Sequence, residues 1–279
     1  MKKNVQKIHC GITGHTGSIG RNLIKLYRDK IVFYPFKGDV TKKKQISKWI
    51  KSKKFDHLIH LAAIVPIKEV NNNKKKAYKV NTLGTKNIVD IITKEKKQLD
   101  WVFFASTSHV YSSSKKKITE NAKIKPISYY GKTKFLAEKE ISKLKKIGTK
   151  VCIGRIFSTT NNYQRKNYLV PDLKNKIKKA KKKIILNNLN HYRDFISIKD
   201  ITKIIFYFLK KNFFGIINIS SGKKTKLSNI AKIIAKHYDK DVIIQNNTHS
   251  TSLLSDNSLL KKNYRFKLNT NIRSMIFED

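Results

Sequence analysis

Three glycines at a spacing of three, Gly14, Gly17 and Gly20, follow an apolar run over residues 8–13 and open a helical pattern over 18–28. A strand that turns this tightly into a helix begins a βαβ unit, which restricts the chain to folds whose parallel strands alternate with covering helices. Such glycines let the backbone bend, let an anionic group approach the helix N-terminus, and let helix pack on strand. The spacing departs from the usual G-x-G-x-x-G, and a tight turn without a ligand would use the same residues.

The alternation continues along the chain. Residues 31–34 read as a second strand, 45–51 as an amphipathic stretch, 57–62 as a buried strand, 74–97 as a long helix, 101–105 as a strand, 130–146 as a helix and 150–157 as a strand. That order predicts an α/β chain, a Rossmann-type doubly wound parallel sheet. After Ser158 the pattern loosens into an Asn/Tyr-rich loop, a helix near 171–182, strands over 184–186 and 195–198, a helix over 199–209, a strand over 215–219 and a helix over 227–238. The tail from Asn246 is polar and poorly periodic. The expected division is a dinucleotide-binding domain over 1–157, with 192–220 returning to the sheet, and a small C-terminal substrate-binding cap over 158–191 and 221–279.

With 39% hydrophobic residues and only 11 glycines and 4 prolines in 279 positions, the chain can bury a real core, which excludes wholesale disorder and collagen-like order. Its formal net charge of +44 invites a polyanion-binding reading. The charge is carried differently, however. Seven arginines leave 55 of the 62 basic residues as lysines, scattered through nearly every segment, whereas nucleic-acid readers favour the bidentate fork of arginine. A dedicated nucleic-acid partner is therefore not expected, although a cationic surface would draw in a phosphorylated substrate. No apolar run approaches the roughly 18 residues of a membrane span, and Met1 to Asn4 lead into a strand-like segment without a leader pattern, so a cytoplasmic protein with no membrane partner is expected. Cys10 and Cys152 both lie in apolar strands, which suits buried reduced thiols and gives no metal site.

An acidic residue usually ends the second strand of such a unit, where it holds the adenosine ribose. Here the strand runs out through Phe36 and Lys37, so Lys37 either approaches a 2′-phosphate, favouring NADP over NAD, or is one more solvated lysine. Asp39 and Val40 read as lying beside the adenine. Further on, the strand ending in Ser106, Thr107, Ser108 and His109 is followed by Tyr130-x-x-x-Lys134. Positions i and i+4 share a helix face, so the Lys134 ammonium is expected to favour the Tyr130 phenolate and lower its pKa toward neutrality.

With these pieces the chain resembles an extended short-chain dehydrogenase/reductase, of the NAD-dependent epimerase/dehydratase type that works on nucleotide sugars. The resemblance runs nearly end to end, through Thr13-Gly14-x-x-Gly17-x-x-Gly20, Gly38-Asp39-Val40, His60-Leu61-Ala62-Ala63, Asn81-x-x-Gly84, Ser106-Thr107 to Tyr111, Tyr130-Gly131-x-x-Lys134, Arg193-Asp194-Phe195-Ile196 and Asn218 to Gly222. It implies that His15, Thr16, Ser18 and Ile19 with the glycines, Leu61, Ala62 and Ala63, and Tyr130 and Lys134 hold the cofactor. It also implies that Thr107 is the catalytic hydroxyl, Tyr130 the acid/base, Lys134 its partner on the nicotinamide ribose, and Asn81 the support of that lysine and its water. Thr107, Ser108 and Arg193 would meet the substrate, Arg193 at the diphosphate.

The implied activity is that of an NAD(P)-dependent nucleotide-sugar epimerase or 4-ketoreductase, with hydride transfer at a sugar carbon, usually C4, in a homodimer. The alternative is a non-catalytic dinucleotide-binding sensor or scaffold of the same fold. The 4,6-dehydratases of the family carry an acidic pair where Ser108 and His109 stand, which disfavours dehydration. His109 is either a second acid/base or a hydrogen-bonding histidine, and His60 reads as structural.

Overall fold

The computed structural model describes residues 7–161 and 164–277; Met1 to Asn4, read above as free of a leader pattern, lie outside them. Elements in chain order are β1 (Ile8–Thr13), α1 (Ser18–Tyr27), β2 (Ile31–Pro35), α2 (Lys43–Ser52), β3 (His57–His60), α3 (Ile67–Asn72), α4 (Lys74–Tyr78), α5 (Gly84–Lys94), β4 (Trp101–Thr107), α6 (Tyr129–Ile141) and β5 (Lys150–Ile156). The second half adds α7 (Leu169–Lys179), β6 (Lys183–Asn187), β7 (Tyr192–Asp194), α8 (Ile198–Lys211), β8 (Gly215–Ile219), β9 (Lys224–Lys226), α9 (Leu227–His237), β10 (Asp241–Gln245), β11 (Ser252–Leu253), α10 (Ser258–Asn263) and α11 (Ile272–Phe277).

Six strands form one parallel sheet in the order β2-β1-β3-β4-β5-β8. Its central strands bury both faces, as their unbroken apolar runs require. Successive residues feed opposite layers: Trp101 and Phe103 of β4 pack with Leu23 of α1 and Ile204 and Phe208 of α8, whereas Val102 and Phe104 pack with Trp49 of α2, Ile88 of α5 and Ile141 of α6. Removing one such fully buried ring, as in Phe103→Ala, would cost about 3–5 kcal/mol. The chain leaves β1 toward β2 on one side and returns to β3 on the other, and this reversal leaves a crevice beyond the carboxyl ends of the two strands.

The expected doubly wound sheet is thus present, with instructive departures. The helix expected over 74–97 is a run from Lys74 to Lys94 interrupted by a π turn at Lys79–Leu83, where the Thr85 hydroxyl takes the Asn81 carbonyl at 2.8 Å. Helix α3, ahead of it, had no clear periodic signal. The strand expected over 195–198 lies earlier, at Tyr192–Asp194, and pairs with β9 and β11 in a small sheet of its own. Phe195 and Ile196 are apolar because they are core residues, and the Ser197 hydroxyl accepts the Asp200 N–H at 3.0 Å, starting α8 instead. The tail carries β11, α10 and α11, too short for periodicity to reveal, and β10 pairs with β6. Cys10 and Cys152 are buried free thiols. Among the described residues no helix is long and apolar enough to cross a membrane.

Candidate active site

Backbone geometry makes the crevice at the ends of β1 and β3. Gly14 adopts φ +68°, and a Cβ there would stand 2.7 Å from the Ala62 nitrogen and the Leu61 carbonyl carbon, so only glycine lets the two loops interlock. Thr13 locks them further: its hydroxyl accepts the Leu61 and Ala62 N–H groups, each at 3.2 Å, and donates to His60 Nδ1 at 2.6 Å. His60 Nε2–H in turn donates to the Thr85 hydroxyl at 3.0 Å, which passes the series on to the Asn81 carbonyl. Every hydrogen in this series has one acceptor only if His60 is neutral, and burial, helped by the Lys134 charge, pushes its pKa down to about 3. His60 is a structural histidine, as its buried position in the sequence suggested.

The crevice has a volume of about 540 Å³ and is lined by Gly14, His15, Thr16, Lys37, Asp39, Val40 and Ala62 among others. The turn and the end of β2, 20 residues apart in sequence, thus share one wall. Asp39 is turned onto the backbone, accepting the Thr41 N–H at 2.8 Å, and that bond holds its carboxyl below the usual carboxylate range. Of the other residues expected at the cofactor, Gly17 closes the turn onto the Gly14 carbonyl at 3.0 Å, and Ile19 and Leu61 pack against the core. Gly17, Ser18, Ile19, Leu61 and Ala63 are not among the residues lining the crevice. Helix α1 begins without a side-chain cap or an acidic residue in its first turn, which leaves its amino-terminal N–H groups for an anion.

A second opening, about 590 Å³, lies between the start of α6 and β7. Ile67, Asn71, Lys74, His109, Ile127, Ser128, Tyr129, Arg193 and Thr251 line it, drawn from segments that span more than half the chain. The Arg193 guanidinium donates to the Tyr192 carbonyl at 2.7 Å and to the Thr251 carbonyl and hydroxyl at 3.1 and 3.0 Å, and no carboxylate pairs with it among the described residues. Burial accordingly pulls its pKa down to about 10. A half-buried cation held in place by neutral acceptors suits an anionic ligand. Thr107, at the end of β4, accepts the His109 N–H at 3.2 Å; neither it nor the buried Ser108 lines the opening.

Helix α6 begins at the second opening, which Ser128 and Tyr129 line; Tyr130 and Lys134 line neither opening. Ser128 caps α6, accepting the Gly131 N–H at 3.1 Å, and the helix lies so close to the preceding loop that a Cβ on Gly131 would fall 1.9 Å from the His109 carbonyl oxygen. Tyr130 and Lys134, one turn apart, are both buried. The Tyr130 ring meets His109 edge-on at 6.0 Å between centroids, while the Lys134 ammonium sits 4.0 Å from the Phe104 ring centre. The lysine-driven lowering of the Tyr130 pKa expected from the spacing is not what this geometry produces. Burial pushes the phenol up, with Tyr168 adding to the rise and the Thr107 hydroxyl opposing it, and Lys134 is not among the groups acting on it. The ammonium is itself pushed down to about 7 by burial, partly offset by Glu138. Desolvation outweighs the pairing that a surface i,i+4 argument assumes.

Asn81, expected to support Lys134 and its water, ties the segment after β3 to α6. Its carboxamide clasps Ile64, accepting the N–H at 2.8 Å and donating to the carbonyl at 3.0 Å, and donates to the Thr133 hydroxyl at 3.1 Å. Sequence reasoning missed Glu138 and Arg155. Glu138 stands one further turn along the Tyr130–Lys134 face and takes the Arg155 guanidinium through both oxygens at 2.8 and 3.1 Å, with the Ser106 hydroxyl on the same carboxylate. Arg155 also donates to the Tyr111 hydroxyl at 2.8 Å, which donates to Asn218 at 2.8 Å. Extending the i,i+4 series by one step would have found Glu138.

A dinucleotide fits these residues. Lys134 is 1% exposed as a residue and its ammonium lies over the Phe104 ring, a position in which ligand hydroxyls would give it acceptors. The glycine turn and the uncapped helix start supply the matching anion site.

The family model described as the NAD dependent epimerase/dehydratase family matches residues 10–220. A GDP-6-deoxy-D-talose 4-dehydrogenase of Aggregatibacter actinomycetemcomitans is 32% identical over 207 residues, 72% of this chain and 69% of that relative. Among solved structures, RMD from Pseudomonas aeruginosa, complexed with NADPH, superposes with a TM-score of 0.87 at 17% identity over 97% of this chain and 96% of that one. The UDP-glucose 4-epimerase of Thermus thermophilus, in complex with NAD, gives 0.85 at 16% identity over 96% of each chain. At these identities the two structures speak for the fold.

Proposed function

Because the chain belongs to the NAD-dependent epimerase/dehydratase family, we propose that it is an NAD(P)-dependent enzyme of nucleotide-diphosphate sugars, acting at C4 of the sugar as a 4-ketoreductase or, in reverse, a dehydrogenase. The observation that carries this reading is the buried face of α6, with Tyr130 against His109 at the α6–β7 pocket and Lys134 one turn on, near enough to depress His60 under the glycine crevice. The cofactor would be held by the Gly14 turn, the start of α1, Ala62 and Lys134, and it supplies the hydride acceptor or donor. Lys37 at the exposed lip of the crevice favours NADP over NAD.

Tyr130 then handles the proton. Burial keeps the phenol neutral at pH 7, the form that can give its proton to a keto oxygen. Thr107 holds the same oxygen, and Arg193 takes the diphosphate. The apolar walls Ile67 and Ile127 suit a 6-deoxy sugar, in keeping with the talose derivative named for the A. actinomycetemcomitans relative. Epimerisation is the second reading, in keeping with a putative UDP-glucose 4-epimerase of Methanocaldococcus jannaschii that is 28% identical over 201 residues. We also take residues 158–191 and 221–279 as the substrate-binding cap, and expect a cytoplasmic homodimer. The test offers NDP-4-keto-6-deoxy sugars with NADPH or NADH beside UDP-hexoses in a redox-neutral assay. Cofactor consumption supports the reductase, product without consumption supports the epimerase, and neither in either assay overturns the enzymatic reading in favour of a sensor or scaffold.

A further inference from the structure

His109 has its Nδ1 3.0 Å from the Ser128 hydroxyl and lines the α6–β7 pocket with Arg193. The two ring nitrogens of a histidine are distinct, and the partner of one decides what the other offers. Here the hydrogen count favours one arrangement. The Ser128 oxygen already accepts the Gly131 N–H at 3.1 Å, and the only acceptor within hydrogen-bond reach of its own hydrogen, among the described residues, is His109 Nδ1. We propose that Ser128 is a positioning residue that fixes His109 as the neutral Nε2–H tautomer, so that the pocket meets an N–H donor aimed at an oxygen of the substrate sugar.

The surroundings agree. Arg193 and Lys74 are the cations of the same pocket and Tyr130 the phenol packed on the ring; no carboxylate lines the opening to stabilise an imidazolium. Burial, with Arg193 adding to it, pushes the His109 pKa down to about 4. A neutral donor also avoids adding a second charge beside Arg193, where a cation would be repelled in a poorly solvated site. The same serine hydroxyl caps α6, so the helix that carries Tyr130 and the ring that faces it are registered by one atom.

The kinetic part of this inference rests on the nucleotide-sugar reading; the tautomer does not. The experiment is therefore in two arms. In the first, ¹⁵N-histidine spectra of the full chain near pH 7, without substrate, are assigned by comparison with His109→Gln. The expected result is an Nε2–H pattern for His109 in the wild type, loss of that fixed pattern in Ser128→Ala, and its return in Ser128→Thr. An Nδ1–H pattern or an imidazolium in the wild type, or an unchanged spectrum in Ser128→Ala, overturns the proposal. In the second, Ser128→Ala raises KM for the sugar nucleotide about 10-fold with kcat changed less, and Ser128→Thr recovers most of it. An unchanged KM in Ser128→Gly, which suits a helix start but offers His109 no hydroxyl, would mean a cap role alone and also overturn it. Absence of turnover in the wild type would count against the functional reading, while the spectra still decide the tautomer.

Discussion

The two openings are built by different means. The crevice over β1 and β3 is made of backbone: a left-handed glycine, uncapped helical N–H groups, and a threonine that ties two loops together. The α6–β7 pocket is made of side chains from distant segments, with Ile67 and Arg193 126 positions apart in the sequence, and its one backbone device is the contact between Gly131 and His109. A backbone-built site takes one kind of ligand and tolerates little change, while a side-chain site can be re-aimed by substitution. The fold comparison fits this contrast, since neighbours with the same architecture are named as a UDP-glucose 4-epimerase and a dTDP-glucose 4,6-dehydratase.

The largest effect expected falls on Tyr130, packed against His109 of the side-chain pocket. Tyr130→Phe should lower kcat about 10³-fold, the range for a lost general acid, with dinucleotide affinity within about 2-fold of wild type. Equilibrium binding and single-turnover rates measure the two separately. Loss of affinity on the same scale as the rate would mean that the phenol belongs to the crevice, and the division into two sites would fail.

Next in size is a stability effect. Lys134 has a folded pKa of about 7 against 10.5 for a free lysine, so between those values the unfolded chain holds a proton that the folded chain has released. Stability must then rise with pH across that window, and burying the ammonium costs the fold most below pH 7. The rise between pH 7 and pH 10 is on the order of 3–4 kcal/mol. Lys134→Met should be more stable than wild type at pH 7 and should flatten the rise of the urea midpoint toward pH 10. Parallel pH curves for the two proteins would show that the ammonium is not desolvated.

A third effect tests the pocket. Arg193→Gln should raise KM for the nucleotide sugar about 10- to 30-fold, as removal of one charged hydrogen-bonding partner implies, and leave dinucleotide binding unchanged. An unchanged KM would mean that Tyr192 and Thr251 account for the guanidinium completely.

The same contrast explains how much was legible in the sequence. The parallel sheet and the crevice were readable because strands and glycine turns are local patterns, and Gly14, Lys37, Asp39 and Ala62 do come together. The position of β7 was not, because Phe195 and Ile196 are apolar for reasons of core packing and no local pattern distinguishes that from a strand. Ile67, Ser128 and Thr251 were missed for a related reason: their meeting depends on how the second half folds over the first, which no spacing encodes. The direction of the Tyr130 shift was misread because i,i+4 spacing reports adjacency and says nothing of burial, and burial dominates.

The smallest effect bears hardest on the idea that the crevice is a backbone site. Near pH 7 the Lys134 ammonium is about half protonated, since its pKa lies close to that value. A dinucleotide that gave it hydroxyl acceptors would favour the charged form and raise that pKa, so binding should draw a proton from solution. The expected uptake is roughly 0.5 proton per chain at pH 7, vanishing toward pH 5.5 where the lysine is already charged, and absent in Lys134→Met. Calorimetric titration with NADPH in buffers of different ionisation enthalpy reads this number directly, with no catalysis required. Zero uptake with undiminished affinity would mean that the ligand never reaches the lysine and that backbone alone binds it. Uptake of the expected size would make the crevice a backbone cradle whose affinity is set by one buried side chain.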